Sequence, residues 1–317
     1  MEYTTLGRTG LRVSVAGLGC GGFSRLGLST GGSPADAVKL VRIAIDSGIN
    51  LIDTAAQYGT EPMVGEAMRD VPRASVVIAT KCLLAEKDVQ ITADGLTASL
   101  DASLKALGTD YVDIFQLHGV SMPQYEFAMA ELMPALERAK AAGKFRYLGI
   151  TESGSRDPDH AVLLRAAADG MWDVGMVAFN MLHRTASDRL FPLAIEGGMA
   201  TLVMHAVRSI FARPEFLAAS IRDLAASGKV PAELLDAARP LDFLVHPAGA
   251  ESVTDAAYRF ARHTPGVSVV LFGTGSAEHL RANVASICRP PLPAEDTARL
   301  LSLFGQVSGL GLENPGG

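Results

Sequence analysis

The sequence predicts an α/β protein built as a closed (β/α)8 TIM barrel, with an insertion between the seventh and eighth strands. Three observations carry this prediction. Eight short runs of mostly continuous apolar residues recur along the chain, as in parallel strands covered on both faces. Each run is followed by at least one stretch with helical apolar spacing. No Gly-x-Gly-x-x-Gly fingerprint follows the first run, which argues against an open doubly wound sheet. The 317 residues fit one barrel domain, 1–317, since single-domain barrels commonly reach this size. A composition of 48% hydrophobic and 20% charged residues supplies a large core and argues against disorder.

Taken in order, residues 5–13 form a polar, Gly-rich lead-in suited to a hairpin. Residues 13–18 read as the first strand, ending in Gly19-Cys20-Gly21-Gly22, and Ala37, Val38, Leu40, Val41, Ala44 and Ile45 mark its helix. The second strand, 49–52, is interrupted only by Asn50 and delivers Asp53; Tyr58 follows on a short loop, and a helix covers 61–68. Residues 76–80 end at Lys81 before a helix over 92–107. Residues 111–117 end at His118 before a long Ala-rich helix over 126–142, closed by Gly143. Strand 147–150 ends at Thr151-Glu152 with a helix over 158–168, and 174–179 ends at Asn180 with a helix over 187–196. Strand 201–204 ends at His205. Residues 207–250 then insert extra helices, including 214–226, and an insertion on that side can cover a ligand. A helix over 253–262 leads to the last strand, 267–272, which ends at Gly273 before a helix over 277–287.

The function classes are bounded by charge and cysteine usage. A formal net charge of −6 with scattered Lys and Arg leaves no electrostatic footprint for nucleic acid. Cys20, Cys82 and Cys288 have neither metal-type nor redox-type spacing, which predicts reduced thiols and no metal site. The start of the chain lacks an apolar signal core, and no uncharged run approaches the length of a membrane span. The expectation is a cytoplasmic protein acting on a small molecule.

Taken singly, Asp53 reads equally as a cap or turn residue, Tyr58 as a loop residue, and Lys81 and His118 as rim residues. In a barrel, however, Asp53, Lys81 and His118 end consecutive strands with Tyr58 on the loop between, so four polar groups face one mouth. Such a set suits proton transfer to a carbonyl oxygen. The reference pKa of Tyr, ~10, is too high for easy exchange at neutral pH, and an ammonium at Lys81 lowers it. Asp53 would hold Lys81 charged, and His118 would orient the substrate oxygen.

At these positions the chain resembles the aldo-keto reductase family over nearly its whole length. The motifs are Tyr3-Thr4-Thr5-Leu6-Gly7-Arg8-Thr9-Gly10-Leu11, Gly17-Leu18-Gly19-Cys20-Gly21-Gly22, Ile52-Asp53-Thr54-Ala55 with Tyr58-Gly59, Thr80-Lys81, and Gln116-Leu117-His118. The resemblance implies that Asp53, Tyr58, Lys81 and His118 are the catalytic tetrad. It also implies hydride transfer between NADP(H) or NAD(H) and an aldehyde, ketone or sugar hemiacetal, or the corresponding alcohol. It places the cofactor on Gly21, Gly22, Asp53, Thr151, Glu152, Met176, His205, Ala206, Arg208, Gly273, Thr274, Gly275, Ser276, His279 and Asn283.

The cradle departs from the family pattern in three places. Thr151-Glu152 stands for the usual Ser-Asn, Met176 for a Gln, and His205 for the stacking Tyr. The segment 272–283 runs from a strand end through a glycine turn into a helix, where free N–H groups can hold a phosphate; a tight turn capped by Ser276 accounts for the glycines equally well. Family members that prefer NADP carry a Lys near Gly273 and an Arg near His279. Both are absent, so weak discrimination between NADP and NAD is expected. Two other readings use the same residues: a barrel aldolase forming a Schiff base on Lys81, and a barrel that senses a nicotinamide without turnover. Substrate choice would rest on loops 23–32, 83–88, 119–125 and 181–184 and on the insertion, with Phe23, Leu84, Met181 and Phe211 giving a partly apolar pocket. Trp172, ahead of the sixth strand, belongs on the opposite face.

Overall fold

The structure, a computed structural model, describes residues 1–86, 89–310 and 312; Lys87 and Asp88 of the 83–88 loop lie outside them. Strands β1 (Tyr3–Thr5) and β2 (Arg12–Ser14) pair as an antiparallel hairpin ahead of the barrel. Barrel strand β3 is Ala16–Gly19, so the first strand starts later than its apolar run suggests. Val13 and Ser14 belong to the hairpin, where they pair with Thr4 and Tyr3, and Asn50 ties Ser14 and Arg12 to the barrel. Ser14 N donates to Asn50 Oδ1 at 2.6 Å, Asn50 Nδ2 donates to Arg12 O at 2.9 Å, and Asn50 N donates to Ser14 Oγ at 3.1 Å. The one polar residue that interrupts the second apolar run is the rivet between hairpin and barrel.

After β3 come α1 (Pro34–Asp46), β4 (Leu51–Asp53), α2 (Glu61–Met68) and β5 (Val77–Leu83). Two short antiparallel strands, β6 (Ala85–Glu86) and β7 (Val89–Gln90), precede α3 (Ala93–Leu107) and β8 (Val112–Val120). The single helix expected over 126–142 is instead α4 (Met122–Phe127), a π turn over Ala128–Leu132, and α5 (Met133–Ala141). Pro134 has no N–H for the i−4 carbonyl, and the helix widens for one turn ahead of it. Next follow β9 (Phe145–Glu152), α6 (Ala161–Asp169), β10 (Val174–Ala178), α7 (Thr185–Gly197) and β11 (Ala200–Met204). The insertion holds α8 (Ser209–Ala212) and α9 (Pro214–Ala226). The chain resumes with α10 (Val253–His263), β12 (Val269–Phe272), α11 (Ala277–Ile287) and α12 (Ala294–Phe304).

Strands β3, β4, β5, β8, β9, β10, β11 and β12 close in that order into a parallel eight-stranded barrel, as the sequence predicts. Their alternation splits the apolar residues into two cores. Ile52, Ile78, Phe115 and Val177 point outward to the helices. Leu51, Val77, Ala79, Ile114, Val174, Met176, Leu202 and Leu271 fill the interior together with Leu6 and Val13 of the hairpin, which plugs the N-terminal end. Arg8 locks that plug by donating to Trp172 O at 2.6 Å and to Asp173 Oδ1 at 3.2 Å. Trp172 is fully buried at this end and donates to Tyr125 Oη at 3.0 Å. Among the described residues no helix is long and apolar enough to cross a membrane.

Candidate active site

The two-residue period that puts Leu51, Val77, Ala79 and Ile114 inside the barrel puts Asp53, Lys81, Gln116 and His118 on the same inward face, at the C-terminal ends of β4, β5 and β8. Lys81 and Asp53 are buried against each other. Lys81 Nζ donates to Asp53 Oδ2 at 2.6 Å and to Thr54 O at 2.8 Å, and it lies 5.0 Å from the centre of the Tyr58 ring. Gln116 Nε2 donates to the other carboxylate oxygen, Asp53 Oδ1, at 3.1 Å.

Tyr58 ends a 3-10 turn, Ala56–Tyr58. Side chains brace both flanks of that loop: Thr54 Oγ1 meets Thr60 Oγ1 at 2.9 Å, and Thr80 Oγ1 donates to Glu61 Oε1 at 2.6 Å. The ring leans over Gly21, where a Cβ would stand 2.4 Å from Tyr58 Cε2, so no larger residue fits beneath it. Tyr58 Oη and His118 Nε2 are 3.3 Å apart with the rings edge-on. The sequence-predicted tetrad therefore converges in one place.

Electrostatics at this point are set mainly by burial. Burial lifts the Asp53 carboxyl above its usual range against the opposing pull of Lys81 and Gln116. Burial also works against the Lys81 ammonium, but Asp53 and Tyr58 outweigh it and its pKa rises. The Tyr58 phenol is raised by burial, with Lys81 pulling in the lowering direction without prevailing. The sequence suggested the reverse net sign, since the desolvation of a ring set between strand end and helix cannot be seen in composition. His118 is pushed down to about 3 by burial and by Lys81, and so is neutral.

The remaining cradle residues divide into three groups. Thr151 Oγ1 accepts from Gly119 N at 2.6 Å beside the β8–β9 irregularity that follows Leu117. Glu152 is turned into the protein, where it meets His160 Nδ1 at 2.9 Å and accepts from Ala178 N at 2.8 Å. Met176 packs in the barrel interior. Past β11, His205 adopts a left-handed backbone (φ 65°), and its pKa is lowered to about 3 by burial, with Arg208 and His183 adding to it. Ala206 is buried, and Arg208 donates to Leu312 O at 2.7 Å. Beyond β12, the turn Gly273, Thr274, Gly275 leads to Ser276, whose Oγ caps α11 by accepting from His279 N at 3.4 Å. Asn283 lies one turn further along α11, and Gly22 is exposed on the loop after β3.

The loop after β11 and the turn after β12 fit a phosphate-bearing dinucleotide, whereas Glu152 and Met176 are engaged within the protein. The first N–H groups of α11 have no acceptor within the helix, and His205 Nδ1 and Arg208 Nε are buried without a partner among the described residues.

The sequence reading does not single out Gln116 or the clamp between the loop after β10 and the segment that follows α12. The polar side chain of Gln116 at an inward position between Ile114 and His118 was the available signal. In the clamp, Gly309 N donates to His183 Nδ1 at 2.9 Å and Arg184 Nη1 to Gly305 O at 3.1 Å. Of the four side chains expected to line a pocket, Leu84, Met181 and Phe211 are buried in the outer core, whereas Phe23 is 77% exposed.

Fold and site together define a parallel eight-stranded barrel with Asp53, Tyr58, Lys81 and His118 gathered at one mouth. The sequence profile described as Aldo/keto reductase family matches residues 17–303, and the chain belongs to that family of oxidoreductases, which act on carbonyl and sugar substrates with nicotinamide cofactors. It is 38% identical over 157 residues to L-galactose dehydrogenase of Arabidopsis thaliana, covering 48% of each chain. It is 33% identical over 208 residues to NADH-specific methylglyoxal reductase of Escherichia coli (strain K12), covering 57% of this chain and 62% of that one. The chain thus spans less than two thirds of the length of these curated relatives. The fold superposes on the holo form of aldo-keto reductase AKR11C1 from Bacillus halodurans with a TM-score of 0.73 at 24% identity, covering 99% of this chain and 100% of that one.

Three imidazoles at this end, His118, His183 and His205, are held neutral by burial, down to about 3, 4 and 3. Their folded pKa values lie below the ordinary 6.5, so the unfolded chain binds more protons in that window and stability falls as pH drops below about 6.5. Imidazole nitrogen NMR should show all three rings neutral from about pH 8 to about pH 5, with the unfolding midpoint declining on acidification; a ring that titrates near its ordinary value would contradict the placement.

Proposed function

We propose that the chain is a nicotinamide-dependent oxidoreductase that reduces an aldehyde, ketone or sugar hemiacetal, or oxidises the corresponding alcohol, with Tyr58 as general acid and base. The observation that carries this reading is the contact of the Tyr58 hydroxyl with a neutral His118 above the buried Lys81–Asp53 pair. A nicotinamide cofactor, held by the loops after β11 and β12, would supply or take up the hydride. The substrate oxygen lies between Tyr58 Oη and His118 Nε2 and accepts a hydrogen bond from each. Tyr58 passes its proton to that oxygen during reduction, and Lys81 stabilises the phenolate left behind. Asp53 keeps Lys81 charged and fixed. In the oxidative direction the phenolate takes the proton back.

Lys81 is 1% exposed, engaged by two acceptors and raised in pKa, which leaves no free amine to attack a carbonyl and speaks against the Schiff-base reading. Relatives named for L-galactose and for methylglyoxal support a sugar or small carbonyl substrate. A turnover screen of aldehydes, ketones and aldoses with NADH, NADPH and their oxidised forms tests the reading. Within it, Tyr58→Phe should lower turnover ~10²–10⁴-fold with nicotinamide affinity unchanged; a variant keeping more than about a tenth of wild-type turnover would remove Tyr58 from its role.

We assign the adenosine end to the β12–α11 turn, with Thr274, Ser276 and His279 making neutral contacts. Arg281 is folded back on its own helix, donating to Ala277 O at 3.4 Å. A charge-assisted bond is worth ~1.5–3 kcal/mol, so the absence of both usual cations can erase a preference of about a hundredfold or more. The kcat/KM values with NADP and NAD on one substrate should differ by less than that, and a stronger NADP preference would mean that another cation reaches the 2′-phosphate.

A further inference from the structure

Gln116 takes no part in the reaction just set out, yet it occupies an expensive position. It is fully buried on the inward face of β8, with Ile114 below it and His118 above. Its Nε2 donates to Asp53 Oδ1 at 3.1 Å, while its Oε1 has no partner among the described residues. The orientation of the amide follows from the carboxylate, because the reversed amide would set oxygen against oxygen. A buried amide with an unmade hydrogen bond destabilises a fold relative to an apolar side chain of similar volume. Neighbouring β9 also yields space to it: a Cβ at Gly149 would stand 2.7 Å from Gln116 Cγ. The barrel thus forgoes two apolar packing positions directly under its mouth, and the visible return is one N–H held against Asp53.

That N–H completes the coordination of a buried charge. Asp53 has one oxygen on Lys81 Nζ at 2.6 Å and the other on Gln116. Without the second donor, a carboxylate already penalised by burial protonates more readily and can rotate about its Cβ–Cγ bond. Lys81 would then lose both its counter-charge and its fixed place beneath the Tyr58 ring. We propose that Gln116 is a positioning residue for proton transfer, keeping Asp53 ionised and oriented so that Lys81 stays under Tyr58. The proposal rests on the roles assigned to the four mouth residues above.

Gln116→Leu and Gln116→Met in the full chain test it, since both keep the volume and remove the amide. We expect thermal stability equal to or above wild type, a fall in kcat of ~10-fold or more, and an unchanged KM for the nicotinamide cofactor. We also expect the acid limb of the kcat profile to move to higher pH, the direction in which a less well solvated carboxyl takes up its proton. Wild-type kcat with an unmoved acid limb, or activity lost only in step with stability, would show a packing role and overturn the proposal. Tyr58→Phe run alongside separates the two levels. Full turnover in that variant sinks the tetrad reading and this inference with it, whereas an inactive Tyr58→Phe beside wild-type-like Gln116 variants sinks this inference alone.

Discussion

A salt bridge closed off from water at the barrel mouth, Lys81 to Asp53 at 2.6 Å, is the interaction around which the surrounding residues are arranged. Removing two charges from solvent is costly, and their attraction offsets the cost only when the remaining donors and acceptors are satisfied. Each neighbouring feature serves that condition. Thr54 O takes a second Lys81 proton, Gln116 covers the free oxygen of Asp53, and the Tyr58 ring lies across the ammonium. Barrel closure makes this possible, because only alternate inward positions on three adjacent strands bring these side chains together from 28 and 63 residues apart in the chain. The proton affinity of Tyr58 is then a contest in which burial raises it and Lys81 opposes, and burial prevails.

Much of the fold is legible in the sequence where local signals agree. Helix α11 begins where Ser276 caps it, and α2 matches its apolar spacing from Glu61 to Met68. Legibility fails where a contact distant in sequence decides. Val13 and Ser14 look like barrel strand but pair with Thr4 and Tyr3 in the hairpin, where Asn50, 36 residues from Ser14, binds Ser14. The helix over 126–142 breaks where Pro134 forces a π turn. Helix α12 follows the eighth helix and belongs to no strand, so a reading paced by strand and helix alternation has no place for it.

For the candidate site, strand ends alone locate Asp53, Lys81 and His118, because the apolar runs place them independently. Gln116 escapes a reading that looks only at strand ends, although the period of two already marks it as inward. Glu152 shows the opposite limit. Its sequence position suggests a contact with a nicotinamide, yet its carboxylate is taken by His160, which starts α6 from a left-handed backbone (φ 58°), and by Ala178 N. No pattern around residue 152 announces partners that arrive from another helix and another strand.

In this arrangement the Lys81 ammonium acts on the Tyr58 phenol against the effect of burial. Titrating the Tyr58 ring by carbon NMR, with the tyrosine Cζ labelled, in wild type and in Lys81→Met measures that coupling without reference to substrate or cofactor. With the cation replaced by an apolar chain of similar length, burial acts unopposed, and the Tyr58 pKa should rise above its wild-type value. An unchanged or lower pKa in Lys81→Met would contradict the account.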